Sequence, residues 1–471
     1  MMKTVPILLN LLLLLPLQVQ CYESSFGKVQ GQMRAFAMIE NYQEPLHDYE
    51  ATAVGGKLLY LTPHWNNWQA VIGAYTTHFV NDNISSQNIE TLASNRNSRY
   101  VVGLVDSTNF DASSVTNIGE AYLRYRQGQN SLTLGRMKLD TPFVNPQDGR
   151  MIPTFAQGIW AISSLSTQWS IQTGYINAFW NRNTPEWKSV EDSLGYGYEM
   201  GNSAIEGATV AGNYYGNTSS NGLFIANLRY KQNGGIHLDF WDYYLENIFN
   251  LGYAEALYSH PLGEVEVSYG LQYIHQRQSG DGGNGEDNIA SPTNALKAKS
   301  YMQEGEKSTT YGVKSAVKYE KSKLTLAYTK TTDEGRFLFP REWGKEPLYT
   351  FQKRERSDGS GNCHAWLATI EHDFAQQGLN GLDMMVGYGE YVKNDPKTWI
   401  YNKYGFPSYA QWNIDIFYRF SGMLKGLRAE YLMSRKVARG ETYQIAGSSE
   451  YNFIFRKNGL TQQNFILNYD F

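Results

Sequence analysis

Side chains along most of this chain alternate between apolar and polar from one residue to the next. In the stretch 264–273 the odd positions are valine, tyrosine or leucine, and the even positions are glutamate, serine, glycine or glutamine. Successive side chains of a β-strand point to opposite sides of the sheet, so this period gives strands with one apolar and one polar face. The same alternation recurs in the windows 224–231, 310–320, 411–420, 450–456 and 464–471. The sequence therefore predicts an all-β fold.

Two architectures are built from such strands. In a soluble β-sandwich the apolar faces pack together and the polar faces meet water. In an outer-membrane barrel the apolar faces meet lipid and the polar faces line a wet interior. Aromatic residues make up 14% of the chain and stand mostly near the ends of the windows, as membrane girdles require. The polar face is also dense in charge. We therefore predict a transmembrane antiparallel β-barrel in the outer membrane, with the sandwich as the alternative.

The number of strands follows from the length of the chain. A barrel strand needs ~9–11 residues to cross the membrane, and about 18 strand-like windows can be marked, those in 99–118 and 159–216 being the hardest to divide. Barrels of this size enclose an aqueous channel. No stretch near the middle or the end offers the ~18 consecutive apolar residues of a membrane-spanning helix.

The first 21 residues differ in kind from the rest. Lys3 precedes an apolar run that contains five consecutive leucines, and polar, alternating sequence begins at Tyr22. This pattern predicts a secretory signal peptide over 1–21 and a barrel over 22–471. Cleavage after Cys21 is the prediction, and lipidation of Cys21 is the alternative. The exported chain then keeps a single cysteine, Cys363, and cannot be a disulfide scaffold.

Charge and motif content exclude several functions. With 41 basic and 45 acidic residues the chain has a net charge of −4, which argues against a nucleic-acid partner. The eight histidines are scattered and no HExxH motif occurs, so neither a metal nor another cofactor is expected. We predict that the protein is not an enzyme, and we keep an outer-membrane hydrolase on a β-barrel as the alternative function.

The segment 139–158 does not alternate. Its prolines at 142, 146 and 153 would break a strand ladder, yet it also carries apolar side chains that must pack against something. In a wide barrel that surface is the inner wall, so the segment is a candidate pore-constricting loop. Its polar residues that would meet a solute are Asp140, Asn145, Asp148 and Arg150. The alternative is a long extracellular loop that packs on its neighbours.

A second interval without alternation covers 336–356 and combines basic and aromatic residues. One interpretation is a solvated rim with internal ion pairs, such as Arg341 with Glu342. The other is a basic patch in the lumen or vestibule that attracts carboxylates, to which arginine offers paired hydrogen bonds. The basic vestibule candidates are Arg341, Lys353, Arg354 and Arg356.

Ordered motifs along most of the chain resemble the OprD-type substrate-specific porins of Gram-negative outer membranes. They are AVGGKL at 53–58, EAYLRY at 120–125, LGR at 134–136, DTP at 140–142, NP at 145–146, DGRMIP at 148–153, FPREWG at 339–344, YTF at 349–351 and RER at 354–356. The resemblance implies an 18-stranded barrel with an inward third loop. It also implies passive uptake of small, often carboxylate-bearing solutes past a ladder of arginines and lysines.

The alternation assigns faces to the candidates for that ladder. The basic residues on the polar side are Arg34, Arg124, Arg126, Arg229, Lys314, Lys318, Arg419 and Arg428. Arg136 shares the parity of Leu132 and Leu134, so we expect it to point outward although it belongs to a matching motif.

The predicted function is passive diffusion of small polar solutes through an outer-membrane porin, with amino acids or organic acids as the expected substrates. The expected partners are these solutes and the lipid of the outer membrane. The alternating strand that ends at Phe471 resembles the assembly signal of bacterial outer-membrane barrels, which implies the barrel-assembly machinery as a further partner.

Overall fold

The computed structural model describes residues 22–43, 48–84, 100–147, 150–182, 184–197, 214–232, 234–284, 300–355, 358–395, 401–403, 407–439 and 458–471. The candidates Asp148 and Arg356, the predicted signal peptide 1–21 and the alternating window 450–456 lie outside the described residues. Their roles stay predictions.

Twenty strands form one antiparallel sheet within the described residues. They are β1 (Tyr22–Ser24), β2 (Gly27–Tyr42), β3 (Tyr49–Leu61), β4 (Trp68–Asp82), β5 (Ser114–Gln127), β6 (Asn130–Met137), β7 (Phe155–Ser164), β8 (Trp169–Trp180), β9 (Lys188–Ser189), β10 (Leu223–Lys231), β11 (Ile236–Leu245), β12 (Phe249–Leu262), β13 (Val265–Gln278), β14 (Lys307–Tyr319), β15 (Ser322–Thr331), β16 (Cys363–Asp373), β17 (Leu382–Val392), β18 (Ser408–Arg419), β19 (Leu427–Arg439) and β20 (Gly459–Asp470).

The sheet closes on itself as a barrel of 18 strands. Neighbours in the chain pair along the wall, β20 pairs with β2, and β8 pairs with β10. The two remaining strands are short: β1 forms a hairpin with β2, and β9 extends the edge of β8. The predicted barrel class and strand number are confirmed. Of the uncertain windows, 99–118 holds a 3-10 turn at Val101–Gly103 before β5 begins.

Helix is nearly absent from the described chain. The one α-helix there, α1, covers Val190–Ser193, and Ser189 caps its first turn. None of the helices in the described ranges is long and apolar enough to cross a membrane.

The alternation of the sequence becomes the two faces of the wall. On β13, Tyr269 and Leu271 are 48% and 62% exposed, whereas Gln272 between such residues is 4% exposed and lies against the interior. The same separation holds on β14, where Tyr311 and Val313 point outward. The apolar outer face and the polar inner face therefore match the prediction for a barrel rather than a sandwich.

The two ends of the barrel differ in the length of their connections. One end has short turns, such as 128–129 and 320–321, and the other has the long loops. In bacterial outer-membrane barrels the short turns are periplasmic and the long loops are extracellular. Two long connections matter below: the third loop (138–154), between β6 and β7, and the seventh loop (332–362), between β15 and β16. The last four residues of the segment predicted as a loop, 155–158, begin β7.

Candidate functional site

The third loop crosses the interior of the barrel. At one end, Arg34 on the inner face of β2 donates a hydrogen bond to the carbonyl of Arg150. Towards its other end, the ring of Phe143 lies 5.3 Å from Tyr243 on β11 and 5.8 Å from Tyr253 on β12. In a closed wall these strands are far from β2 in both directions around the barrel. A loop that contacts both must therefore run through the lumen, as the inward fold predicted for this segment requires.

Hydrogen bonds fasten the third loop to the seventh. The Asn145 amide accepts from the Lys345 backbone N–H at 3.1 Å and donates to the Lys345 carbonyl at 3.0 Å. Gln147 donates to the carbonyl of Arg341 at 2.7 Å, and the Thr154 hydroxyl donates to that of Glu342 at 3.0 Å. Buried amides and hydroxyls that satisfy each other in this way hold two non-helical segments together inside the barrel.

Aromatic rings fill the space on one side of this contact. We call the group formed by Phe143, Phe179, Tyr243, Phe339 and Trp343 the aromatic junction. Trp343 stacks on Phe179 with centroids 4.3 Å apart, and Phe143 lies 5.0 Å from Phe339. All five residues are at most 4% exposed.

The backbones of the two loops meet closely at the aromatic junction. A Cβ at Gly344 would overlap the carbonyl oxygen of Phe143. Glycine is therefore required at this position by the approach of one chain segment to another, rather than by its own backbone conformation.

A buried carboxylate ties the seventh loop to the loop after β8. Glu342 is 1% exposed and accepts hydrogen bonds from the Gly195 backbone N–H and, at 3.3 Å, from the Tyr214 hydroxyl. Beside it, the Trp343 indole donates to Ser193 at 2.8 Å. Burial raises the pKa of Glu342 above its usual range, although these donors and the charge of Lys403 oppose the shift.

The second half of the seventh loop runs along the inner wall of β17 to β20. Gln411 on β18 donates to the Lys353 carbonyl at 2.8 Å, and the Gln352 amide donates to Tyr391 on β17 at 2.9 Å. Arg354 donates from Nε to Gln462 on β20 at 2.5 Å. The described part of this interval, 336–355, is therefore an inward loop, which places Arg341, Lys353 and Arg354 inside the barrel rather than on a solvated rim.

A cavity of about 240 Å³ opens on the far side of the two loops from the aromatic junction. We call it the basic cavity. Its lining includes six cationic side chains and two carboxylates, together with Tyr100, Phe351 and apolar wall residues. The charged lining residues are Arg150, Arg182, Arg341, Lys345, Lys353, Arg354, Glu355 and Glu430.

Arg341 and Lys353 both contact acidic side chains. Arg341 is ion-paired with Glu346 and lies 4.0 Å from Asp358. Lys353 contacts Asp415 at 2.5 Å and Glu430 at 2.6 Å.

The described lining of the basic cavity carries a positive excess, because its six cations outnumber its two carboxylates. Four of the cations are Arg150, Arg182, Lys345 and Arg354. We call these four residues the cationic quartet. Burial lowers the pKa of Arg354 to about 10, so its guanidinium stays protonated at neutral pH.

Two lining residues hold an unusual backbone conformation. Gln147 has φ of 48° and Arg354 has φ of 74°, the left-handed region that non-glycine residues enter at some cost. Such outliers persist where surrounding contacts enforce them, and they concentrate at functional sites. Here the Gln147 side chain is held by the seventh loop, and the Arg354 carbonyl accepts from Tyr100 at 2.6 Å.

A second, smaller cavity of about 180 Å³ lies on the other side of the third loop. Its basic lining residues are Arg34, Lys57 and Lys138. Pro146, Met151 and Pro153 line this cavity, whereas Gln147 and Arg150 line the basic cavity. The stretch of loop around these residues therefore forms a partition between two basic compartments.

The three constriction candidates among the described residues have different surroundings. Arg150 lines the basic cavity and is 4% exposed, and Asp140 is exposed. Asn145 is 5% exposed and its amide is used by the loop contact described above, so it positions the loops rather than facing the cavity. Of the vestibule candidates, Arg341, Lys353 and Arg354 all line the basic cavity.

The ladder candidates are spread over the inner wall, and most have a partner. Arg34 donates to Asn468 at 2.6 Å, and Arg124 to Thr133 at 3.1 Å. Arg126 and Lys318 are exposed near the periplasmic turns. The candidates with an acidic partner are Arg229 with Asp239 at 2.8 Å, Lys314 with Glu255 at 3.9 Å, Arg419 with Asp383 and Arg428 with Asp470 at 2.6 Å.

Sequence reasoning missed two members of the cationic quartet, Arg182 and Lys345. Arg182 follows β8 in a loop without a motif, and Lys345 lay in the basic interval but was not singled out. Arg136 pairs with Ala121 and Gln157, and its guanidinium lies 4.7 Å from the ring of Trp187.

Comparisons with known proteins place the chain among porins. A family model described as outer membrane porin, OprD family, matches residues 93–455. A search of curated proteins gave no match. The solved structures that resemble this one include Pseudomonas aeruginosa OpdK with vanillate, at 15% identity and a TM-score of 0.68 over 94% of this chain and 98% of that chain.

Two further solved structures agree in fold. Acinetobacter baumannii OccAB2 has 16% identity and a TM-score of 0.70 over 95% of this chain and 99% of that one. A BenF-like porin from Pseudomonas fluorescens Pf-5 has 14% identity and a TM-score of 0.69, with coverage of 94% and 98%.

Proposed function

Because this chain belongs to the OprD family of outer-membrane porins, we propose that it admits small carboxylate-bearing solutes, such as amino acids or organic acids, by passive diffusion. The observation that carries the proposal is the cationic quartet. Six cations and two carboxylates among the described lining residues give the basic cavity a positive potential, and the quartet contributes four of those cations.

The chemistry of the lining suits organic carboxylates. Arg150, Arg182 and Arg354 carry planar guanidinium groups, which bind a carboxylate through two parallel hydrogen bonds. Phe351 and the wall residues Leu432 and Ile466 offer an apolar surface to the body of an organic acid. The solved OpdK structure contains vanillate, which is an aromatic carboxylate.

The third loop supplies the constriction in this proposal. Its partition between the two cavities leaves Arg150 on one side and Arg34, which holds the Arg150 carbonyl, on the other. A solute would pass from the cationic quartet to the second cavity by exchanging one set of basic donors for another. Asp140 and Asp148 would limit the affinity for anions so that the solute can leave.

Two further features of the chain complete the proposal. Residues 1–21 direct export and are removed. The strand β20 and the following Phe471 are engaged by the barrel-assembly machinery during insertion.

Planar-bilayer recordings and liposome swelling test the proposal together. We expect discrete conductance steps with anion preference, and faster swelling with small carboxylates than with neutral sugars of similar size. The double variant Arg182→Gln/Lys345→Gln should reduce the anion preference, whereas Lys321→Gln, on a periplasmic turn, should not. Steps without any anion or carboxylate preference would refute the substrate class.

The same recordings separate a channel from the alternative of a barrel hydrolase. A pore gives conductance steps and solute-dependent swelling without consuming the solute. Absence of any step in reconstituted, folded protein would leave the channel proposal untenable.

A further inference from the structure

Four aromatic side chains form a continuous row on the outer face of β15 to β18. Tyr328, Trp366, Tyr388 and Trp412 all point away from the lumen, and three of them are about two-fifths exposed or more: 40% for Tyr328, 38% for Trp366 and 46% for Trp412. The rings of Trp366 and Tyr388 lie 5.3 Å apart, and those of Tyr388 and Trp412 lie 4.3 Å apart. Such a row marks the depth at which a bilayer changes from hydrocarbon to headgroup.

Basic side chains lie beside this row and on its extracellular side. Lys330 is two residues beyond Tyr328 on β15 and pairs across the sheet with His364. Arg435 on β19 pairs with Trp412, and Arg439 lies four residues further along, at the end of that strand. We call Lys330, His364, Arg435 and Arg439 the outer basic belt. All four are exposed.

The position along β19 agrees with the headgroup region. Arg435 is eight residues above Leu427, at the periplasmic start of the strand, and Arg439 is twelve. At ~3.3 Å per residue and a tilt of ~40°, these two arginines lie roughly 20 Å and 30 Å above that start. The apolar band of such a barrel is ~25 Å tall. Arginine and lysine side chains at its edge extend their charge into the headgroup layer.

One acidic residue accompanies the belt within the described outer face of these strands. Glu390 lies beside Trp366 in the register and accepts a hydrogen bond from the Tyr388 hydroxyl at 2.6 Å. The belt therefore keeps an excess of positive charge.

The periplasmic end of the same strands is arranged differently. There Lys321, in the turn between β14 and β15, pairs with Asp373 at 2.9 Å. Directly below the belt the outer face turns apolar, with Leu326 and Ile370 more than half exposed, as acyl chains require.

We propose that the outer basic belt binds the phosphate groups of an anionic glycolipid in the extracellular leaflet. The aromatic row would lie against its sugars and the apolar strand face against its acyl chains. Arginine and lysine bind lipid phosphate by charge-assisted hydrogen bonds, and clusters of them at the membrane surface are a recurring mode of lipid recognition. The inference does not depend on the solute of the pore, because the belt lies on the opposite side of the wall.

Binding of purified, detergent-solubilised full-length chain to lipopolysaccharide tests this proposal, with native mass spectrometry or a fluorescence titration as the readout. The variant Lys330→Gln/Arg435→Gln/Arg439→Gln should bind at least about tenfold more weakly. The matched control Lys231→Gln/Lys321→Gln/Lys425→Gln removes the same charge from the periplasmic turns and should bind within about twofold of the unmodified chain.

Three further arms make the result unambiguous. The charge-conserving variant Lys330→Arg/Arg435→Lys/Arg439→Lys should retain binding, which excludes a folding defect as the cause of the loss. Lipopolysaccharide freed of its lipid phosphates should bind weakly, and inorganic phosphate at equal concentration should not compete. Equal binding by the glutamine variant and the control, equal binding of dephosphorylated lipid, or competition by inorganic phosphate would each overturn the proposal. The single-channel conductance of the glutamine variant should be unchanged, which keeps this test separate from that of the pore.

Discussion

The third and seventh loops meet in two contrasting ways on their two sides. At the aromatic junction five buried rings and the close backbone approach at Gly344 pack the contact tightly. At the basic cavity the same loops leave a space that cations line. The aromatic junction holds the two loops in place. The basic cavity depends on that placement, because its cations are carried by the same loops.

This division explains how strained, charged residues stay in position. Gln147 and Arg354 adopt left-handed backbone conformations, and cations of one sign repel one another inside a barrel. Both costs are met by packing and hydrogen bonds made elsewhere along the two loops. The aromatic junction and the basic cavity are therefore expected to respond to mutation in different observables, which the following variants examine.

The largest effect is expected for Gly344→Ala. The added methyl group overlaps the Phe143 carbonyl and should force the seventh loop away from the third, so that the lumen opens and single-channel conductance rises severalfold. The matched control is Gly252→Ala on the outer face of β12, where the nearest atom to a Cβ is 4.0 Å away. Unchanged conductance in Gly344→Ala would show that the close approach does not determine the width of the pore.

The next effect concerns charge without loss of structure. Arg150→Gln/Arg354→Gln should preserve conductance steps but lower permeability to carboxylates by about tenfold, the equivalent of ~1.4 kcal/mol. The reversal potential in a salt gradient should move toward that of a non-selective pore. If it moves instead only in Gly344→Ala, selectivity arises from pore width and not from the cationic quartet.

A smaller effect is expected from pH through Glu342. Burial raises the pKa of Glu342 when the loops are docked. The carboxyl group therefore binds its proton more tightly in the docked loops than it would in a released loop. The resulting stabilisation is complete below the ordinary carboxyl pKa of 4.5 and is lost as the pH rises through the raised value. Channel flickering should therefore increase with pH, as measured from open-state noise.

Two variants sharpen the pH measurement. Glu342→Gln keeps an oxygen acceptor for the Gly195 N–H and should remove the pH dependence. Glu334→Gln, in the same loop but at an exposed position, should leave it unchanged. A pH response that survives in Glu342→Gln would assign the titration to another group.

The smallest effect is expected for Arg428→Gln. This ladder candidate is exposed and paired with Asp470 at 2.6 Å, and exposed ion pairs contribute little. Selectivity should change by less than about twofold. A change as large as that of Arg150→Gln/Arg354→Gln would mean that the ladder, rather than the quartet, sets the anion preference.

The sequence predicted the wall of the molecule far better than its interior. Alternation with a period of two is a local property, so the outward face of Tyr269 and Leu271 and the count of barrel strands could be inferred directly. Three prolines and apolar residues in 139–158 also predicted an inward loop. These signals need no knowledge of distant residues.

The composition of the basic cavity could not be inferred in that way. Arg182 and Lys345 join the quartet because loops far apart in sequence converge in the lumen. Arg341 was expected beside Glu342, yet it pairs with Glu346 while Glu342 is buried against the loop after β8. Which carboxylate neutralises which cation depends on the fold of two irregular loops, and no periodic pattern specifies it.

The barrel closes only when β2 pairs with β20. Gln32 donates to Asp470 across 438 positions of sequence, and the Phe471 amide bonds the backbone of Gly31. Loop-closure entropy rises only slowly with such separations, but folding slows as contacts become more distant in sequence. Until β2 and β20 pair, both wall edges carry unpaired backbone groups that would recruit other chains. We therefore expect the pairing of β2 with β20 to be the slowest step of assembly. Until it occurs, another protein must cover the open strand edges.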